Sequence, residues 1–445
     1  MVIGGEVVFV FLIIFFTLFS LLSFKEKEKR AFILSTLVLI LLILTNLVFS
    51  LARPPLKNWL FACLFIFGLI MSSYRLLSGR LKGSQRIVGE QRKIDERDVI
   101  LARFDLKEGS DIYNSYYSRM PEYKDVDNDI RKLPDILTAP HQRKNPELFS
   151  LASAEFHFLE RLLTLVDGKE SPERLELSAP EHTRIVKDVL KYSGADLSGI
   201  CALNQTCVYS HVGRGPETYG EEIQLSHSFA ILFALEMDIA MIAQAPHAPV
   251  IVETGRKYVE AARISIVIAD FIRRLGYSAR AHIAGSNCQT MLPPLGWEAG
   301  LGELGRLGVL ITKTYGPRAR LGLVTTDLPL VVDKPVTAGI QDFCQKCKKC
   351  ARNCPAQAIP YGDRVEENGS LRWVIKREAC YKFWRKAGTD CAVCLSVCPY
   401  SKADNLFHSF IRRFNGHSSL FQRVSIFGDD FFYGRFPPRG LKNWV

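Results

Sequence analysis

The chain has 445 residues, enough for two or three domains, and carries 57 lysines and arginines against 46 acidic residues, a formal charge of +11. The basic residues are spread along the chain and no nucleic-acid-binding motif accompanies them. The charge alone would suit a nucleic-acid partner, but the missing motif and the even spread make a basic face near anionic lipid the simpler account, and no nucleic-acid partner is expected.

Residues 7–24 form an uncharged run of 18, and residues 31–51 a second of 21. Residues 59–74 make a shorter third run of 16 after Pro54 and Pro55. About 20 apolar residues cross a bilayer, so an anchor of about three helices is predicted over residues 1–78. A cleaved signal peptide is the rival for the first run, but no basic region precedes it and no small-residue cleavage site follows it before Lys25. The first loop holds Lys25, Lys27, Lys29 and Arg30, and Arg75, Arg80, Lys82 and Arg86 follow the third run. Only Arg53 and Lys57 lie between runs two and three. Lysine and arginine gather on the cytoplasmic side. Three crossings then give a multi-pass protein of the cytoplasmic membrane with its remaining domains in the cytoplasm. If the third run does not cross, those domains change sides.

Residues 79–150 are polar and proline-containing and are expected to wrap a surface. Mixed α/β structure is expected over residues 151–335: helices at 155–166, 226–242 and 254–275, and strands at 309–312 and 322–326. The helix at 254–275 has apolar positions at helical spacing, Arg273 and Arg274 in its last turn, and Gly276 as its stop. Gly300-x-Gly302-x-x-Gly305 matches a dinucleotide-binding pattern, but Pro293 and Pro294 stand where a strand must precede it. The three glycines are instead expected to let backbone approach a large flat ligand. His282 lacks the aspartate of a D-x-H-x-x-G corrinoid motif, because Arg280 holds that place.

Eight of the twelve cysteines fall at residues 336–405. Cys344, Cys347, Cys350 and Cys354 precede Pro355; Cys380 and, after ten intervening residues, Cys391, Cys394 and Cys398 precede Pro399. C-x2-C-x2-C-x3-C-P is the spacing of a bacterial two-cluster ferredoxin, in which the fourth cysteine crosses to the other cluster. This assigns Cys344, Cys347, Cys350 and Cys398 to one [4Fe-4S] cluster, and Cys354, Cys380, Cys391 and Cys394 to a second. Zinc needs four ligands, not eight with crossover spacing. Cys201, Cys207 and Cys288 are expected to be buried thiols. Residues 406–445 are expected to form an extension packed on the catalytic domain.

Residues 275–282 (LGYSARAH), 299–306 (AGLGELGR), 315–321 (YGPRARL), 325–330 (TTDLPL) and 343–350 (FCQKCKKC) together resemble the corrinoid-dependent reductive dehalogenases. The resemblance runs from about residue 236 to 399. It implies a nitroreductase-like α/β domain holding a base-off cobalamin without a protein ligand to cobalt, fused to a two-[4Fe-4S] ferredoxin-like domain. It also implies removal of halogen from an organohalide. By motif position, Tyr258 is implied as proton donor, Arg320 as its basic partner, and Thr254 and Asn287 as pocket residues. A phenol with a pKa near 10 is a reluctant acid, and a neighbouring guanidinium stabilises its anion. The bland alternatives are a core aromatic for Tyr258, a surface charge for Arg320 and a turn residue for Asn287.

Most family members carry a twin-arginine signal and rely on a separate anchor protein. Here the anchor is expected to be built in, docking a quinol-linked or other electron donor. Two functions compete: an epoxyqueuosine-reductase-like activity, and a membrane-anchored iron–sulfur carrier without a substrate of its own.

Overall fold

The computed structural model describes residues 2–51, 86–138, 141, 143 and 145–437. The third apolar run, Arg53, Lys57, Arg75, Arg80, Lys82 and Cys63 lie outside the described residues. The elements needed below are, in chain order, α1 (Val2–Lys25), α2 (Lys29–Leu51), α3 (Pro146–Arg161), β1 (Leu197–Ala202), β2 (Phe229–Glu236), α4 (Ala248–Arg274), β3 (Ala279–His282), β4 (Ala319–Thr326), α5 (Arg377–Ala387), α6 (Leu406–Asn415) and α7 (Ser419–Phe432). The chain divides into two compact units: residues 1–82 with 403–436, and residues 83–402 with 437–445.

In the first unit, α1 and α2 pair across a tight turn in which Lys27 takes a left-handed φ of 58°. Among the described residues, one helical stretch, Lys29–Val48, is long and apolar enough to cross a membrane; Phe9–Lys25 is apolar but shorter. Ser20 and Thr36 hydrogen bond at 2.7 Å between the two helices. The chain returns to this unit through α6 and α7: Phe19 stacks on Phe407 at 4.9 Å and meets Phe432 edge-on at 4.9 Å. Residues 403–436 thus belong with the N-terminal helices, where the sequence alone had grouped 406–445 with the catalytic domain. Local pattern marks these segments as helical; the partner they pack on is a long-range choice it does not encode.

The second unit is built on an antiparallel sheet in the order β1–β2–β4–β3. The expected helix at 226–242 is corrected: residues 229–236 are β2, and only Ile239–Ile242 is helical. A continuous apolar run buried on both faces carries no period, so strand and helix look alike in it. β2 is central and almost wholly buried. One face of the sheet, with Ile231, Phe233 and Val324, packs on Ile264, Ile268 and Ile272 of α4. The other face, with Leu232 and Leu323, packs on Val208, Leu295 and Leu310. Each such aliphatic side chain contributes about 1.5–3 kcal/mol on burial.

α4 starts with Pro249 in its first turn and ends with Arg273 and Arg274. Gly276 follows at φ +83°, and a Cβ there would meet the Glu173 carbonyl at 2.5 Å. Only glycine turns the chain at this point. Residues 86–138 are not a plain wrapping segment. They contain short helices whose Tyr113, Tyr116 and Tyr117 form a small core, and Arg103 is buried between Asp127 and Glu378. Tyrosines at helical spacing in a polar stretch carried that signal.

Candidate active site and cysteine groups

α4 carries Thr254 and Tyr258 one turn apart, so both side chains project from one side of the helix. β4 brings Arg320 opposite them. Its Nη2 donates to Thr254 Oγ1 at 2.7 Å, and its Nη1 lies 3.5 Å from the Tyr258 hydroxyl. The guanidinium sits over the tyrosine ring, 5.0 Å from its centroid. The three residues named from the motifs therefore meet in one place.

A fourth residue, Asp390, was missed by sequence reasoning. Its Oδ2 accepts from Arg320 Nη2 at 2.7 Å and from the Thr254 hydroxyl at 2.8 Å. Burial works against the Arg320 charge, yet Tyr258 and Asp390 outweigh it and hold its pKa above the ordinary value. The guanidinium is thus a fixed cation whose direction is set by a carboxylate behind it. Asp390 stands immediately before Cys391, and an acid beside a cysteine run was the one signal available.

Tyr258 and Arg320 form part of the wall of a cavity of about 450 Å³, within the usual range of ligand sites. The rest of the wall includes Ile94, Val99, Leu292, Leu304 and Leu310 and, among the described residues, no histidine. Cys207 and Cys288 also face it, and burial pushes their thiols up to about 12 and about 11. His282 lies inside β3, bonded to Thr325 at 2.9 Å, and burial holds its pKa well below the ordinary value.

Two expectations are corrected here. Asn287 is behind the wall, not on it: Oδ1 accepts from Arg280 at 2.8 Å and Nδ2 donates to the Leu163 carbonyl at 3.0 Å. Its backbone closes the turn with Ile283, leaving neighbouring Gly285 to face the cavity. Gly300 and Gly302 do not face the cavity either. A Cβ on Gly302 would come within 2.2 Å of the Ile311 carbonyl, and one on Gly300 within 2.7 Å of the Lys334 carbonyl. The close approach that requires these glycines is to the chain's own backbone. A Cβ on Gly305 would meet Ile311 at 2.3 Å, and Gly305 lines a smaller cavity of about 100 Å³ that shares Leu304 and Gly308 with the larger one.

The eight cysteines fall into two neighbourhoods. Cys398 interacts electrostatically with Cys344, Cys347 and Cys350. Cys391 does so with Cys380 and Cys354, and Cys394 with those three and with Cys350. The final cysteine of each run thus sits beside the other run. None of the described cysteines is in a disulfide. Burial pushes the thiols of Cys344, Cys350 and Cys391 up to about 12 and that of Cys380 to about 11. Among the described residues, no three His, Cys, Asp or Glu side chains converge on a point where one ion would fit. Arg306 lies fully buried beside the first neighbourhood. It donates to the carbonyls of Cys344 at 3.0 Å, Pro360 at 2.7 Å and Gly362 at 2.8 Å, and packs over Trp373. Its Nη2 has no hydrogen-bond partner.

Residues 343–402 match the family model of a 4Fe-4S dicluster domain. The tetrachloroethene reductive dehalogenase of Sulfurospirillum multivorans is 32% identical over 262 residues, covering 51% of this chain and 52% of that protein. Over that stretch this chain is similar to the tetrachloroethene reductive dehalogenases. It spans about half the length of the curated relatives it matches first. The catabolic reductive dehalogenase NpRdhA shares the fold, with a TM-score of 0.65 at 23% identity over 81% of this chain and 50% of that one. A shorter stretch of 112 residues, 24% of this chain and 31% of the relative, is 32% identical to an epoxyqueuosine reductase of Lactococcus garvieae.

Proposed function

We propose that this protein is a reductive dehalogenase that replaces halogen by hydrogen on an organohalide. The observation carrying this reading is the Tyr258–Arg320 pair on the wall of an apolar cavity, held by Asp390 one residue from Cys391. The reaction consumes two electrons and one proton, forms a carbon–hydrogen bond and releases halide.

The cysteine neighbourhoods fit two [4Fe-4S] clusters. As buried thiols they are held far from ionisation, and binding to iron, one thiolate per metal, removes those protons. Cys344, Cys347, Cys350 and Cys398 would hold one cluster, and Cys354, Cys380, Cys391 and Cys394 the other. Arg306 places a buried cation beside the first set. The described lining of the cavity fits part of a corrinoid in chemistry: most of it is apolar, with Arg214, Arg372 and Arg377 among its polar side chains, and it offers neither a histidine nor an ionised thiol as a cobalt ligand. When bound, the corrinoid supplies low-valent cobalt able to reduce a carbon–halogen bond.

The residues of the chain do the remaining work. Tyr258 gives its hydroxyl proton to the carbon that loses halogen. Arg320 stabilises the phenolate left behind and keeps its charge at every working pH. Asp390 and Thr254 fix the direction of Arg320. The apolar wall excludes water, which strengthens each of these interactions. A nitroreductase-like ancestry for the 151–335 domain belongs to the same proposal.

Anaerobic reconstitution with iron, sulfide and corrinoid, followed by halide assay on a panel of aryl and alkyl halides, tests this. Retention of corrinoid with stoichiometric halide release is expected. Retention of clusters alone, without corrinoid or halide, would leave an electron carrier. The short match to an epoxyqueuosine reductase favours a second activity, reduction of a modified tRNA base. Turnover of that base without halide release would establish it.

We also propose a multi-pass anchor with the second unit on the cytoplasmic side, so that a membrane donor can feed the clusters. It is supported by the apolar stretch Lys29–Val48 and the basic turn preceding it. Reporter fusions at residues 27 and 437 should both read cytoplasmic.

A further inference from the structure

Several helix faces of the first unit bury polar side chains and expose large apolar ones. On α6, His408, Arg412 and Asn415 are buried, while Leu406 is 93% and Phe410 50% exposed. On α7, Gln422 and Asp429 are buried, while Phe427 is 69% exposed and Val424 and Phe431 are also exposed. The hidden groups satisfy one another: Gln422 donates to the Asn415 carbonyl at 2.8 Å, Ser425 to Asn415 Oδ1 at 2.7 Å, and Arg412 pairs with Asp404 at 2.9 Å. α1 and α2 show the same placement, with Ser20 and Ser35 inside and hydrogen bonded, and Phe11, Leu18, Leu21 and Leu41 outside.

A helix pair folded in water does the reverse. Polar groups turned inward and aromatic groups outward are what a hydrocarbon solvent selects, because there only the polar groups need partners. Continuity with the membrane helices identifies the solvent. His408 reaches Glu26 at 3.3 Å, Arg30 donates to the Phe431 carbonyl at 3.2 Å, and Phe407 and Phe432 cover Phe19. Both ends of the α6–α7 pair therefore meet the α1–α2 turn that carries exposed Lys25, Lys27, Lys29 and Arg30. With 10 and 14 residues, the two helices reach about 15 and 21 Å, too short for a bilayer core of about 30 Å.

We propose that α6 and α7 form a hairpin immersed in one leaflet of the bilayer, on the side of the Lys25–Arg30 turn, with lipid acyl chains covering Leu406, Phe410, Phe427 and Phe431. The proposal rests on reading α1 and α2 as membrane helices. The hairpin thus makes the C-terminal segment part of the anchor.

The test uses the full chain in vesicles of phosphatidylethanolamine and phosphatidylglycerol. A photoreactive benzoylphenylalanine replaces Phe410, Phe427 or Leu41 one at a time, and Tyr192 of the second unit as a water-facing control. Irradiation followed by mass spectrometry should give lipid adducts at 410, 427 and 41 and none at 192. Adducts at 41 but not at 410 or 427 would overturn the hairpin and leave the membrane helices standing. No adduct at any of the three would overturn both. A chain-to-chain cross-link at 427 in place of lipid would assign the face to a second copy and overturn the proposal.

Discussion

The two units of this chain differ in what they bury, and the proposed membrane position of the first unit accounts for the difference. In the second unit, Ile231, Phe233 and Ile268 are fully covered, and buried polar groups occur mainly where they are paired or face a functional site. Arg318 is an example, bonded to Glu236 at 2.9 Å and to the Ser401 carbonyl at 2.8 Å. In the first unit Ser20, Ser23 and Ser35 are inside, while Phe11, Phe24, Phe410, Phe427 and Phe431 are exposed and Phe19 is covered. Burying a polar group from water demands full compensation. In hydrocarbon, an inward hydroxyl contributes only modestly, because the unfolded chain also finds partners.

The contrast predicts large effects for polar changes in the second unit and small ones in the first. Tyr258→Phe should be the largest, lowering halide release by about 10²–10⁴-fold, the range for a lost general acid. Electron paramagnetic resonance should show unchanged cluster content, and retention of full turnover would remove Tyr258 from the reaction. Next, Arg318→Ala should destabilise the second unit by about 3 kcal/mol, read by denaturant unfolding, since carbonyls and Glu236 lose their donor. A loss under 1 kcal/mol would show that buried charge is tolerated there.

Arg306→Gln should shift the midpoint potential of one cluster downward, because a cation favours the more reduced, more negative state. A tenfold change in the reduced-to-oxidised ratio at fixed potential corresponds to about 59 mV for a one-electron couple. The other cluster should stay in place, and equal shifts in both would contradict the assignment.

Glu155 on α3 tests the same rule through pH. Burial, only partly offset by Arg256, pushes its carboxyl up from about 4.5 to about 7. Its Oε2 lies 2.5 Å from where a Gly255 Cβ would stand. The folded chain holds this proton more tightly, so stability falls as pH rises from about 4.5 through 7. Glu155→Gln should flatten that part of the stability–pH curve. The smallest effect should come from Ser20→Ala in the first unit. Loss of its bond to Thr36 should cost about 0.6 kcal/mol in a membrane, measurable by unfolding in mixed micelles.

Much of the candidate site was legible before the structure. The family resemblance supplied Tyr258 and Arg320 by motif position, and helical spacing put Thr254 one turn before Tyr258. Asn287 and the glycines were harder. A turn residue and a pocket residue look alike in sequence, and a glycine shows that something approaches closely without saying what. For Gly300 and Gly302 it was the chain's own carbonyls. The apolar run around β2 misled because a strand covered on both faces loses its alternation.

The sequence by itself determined the short-range facts: cysteine spacing, apolar runs long enough for a bilayer, and the helix that carries Tyr258. These depend on neighbours a few residues apart, where backbone geometry fixes what can meet. Tertiary structure decided the pairings across long separations. It set Asp390 behind Arg320, Arg306 beside Cys344, and α6 and α7 against Phe19 with their aromatic faces outward. Such contacts join residues tens to hundreds of positions apart, and only the packed chain selects among the many partners that local chemistry would allow.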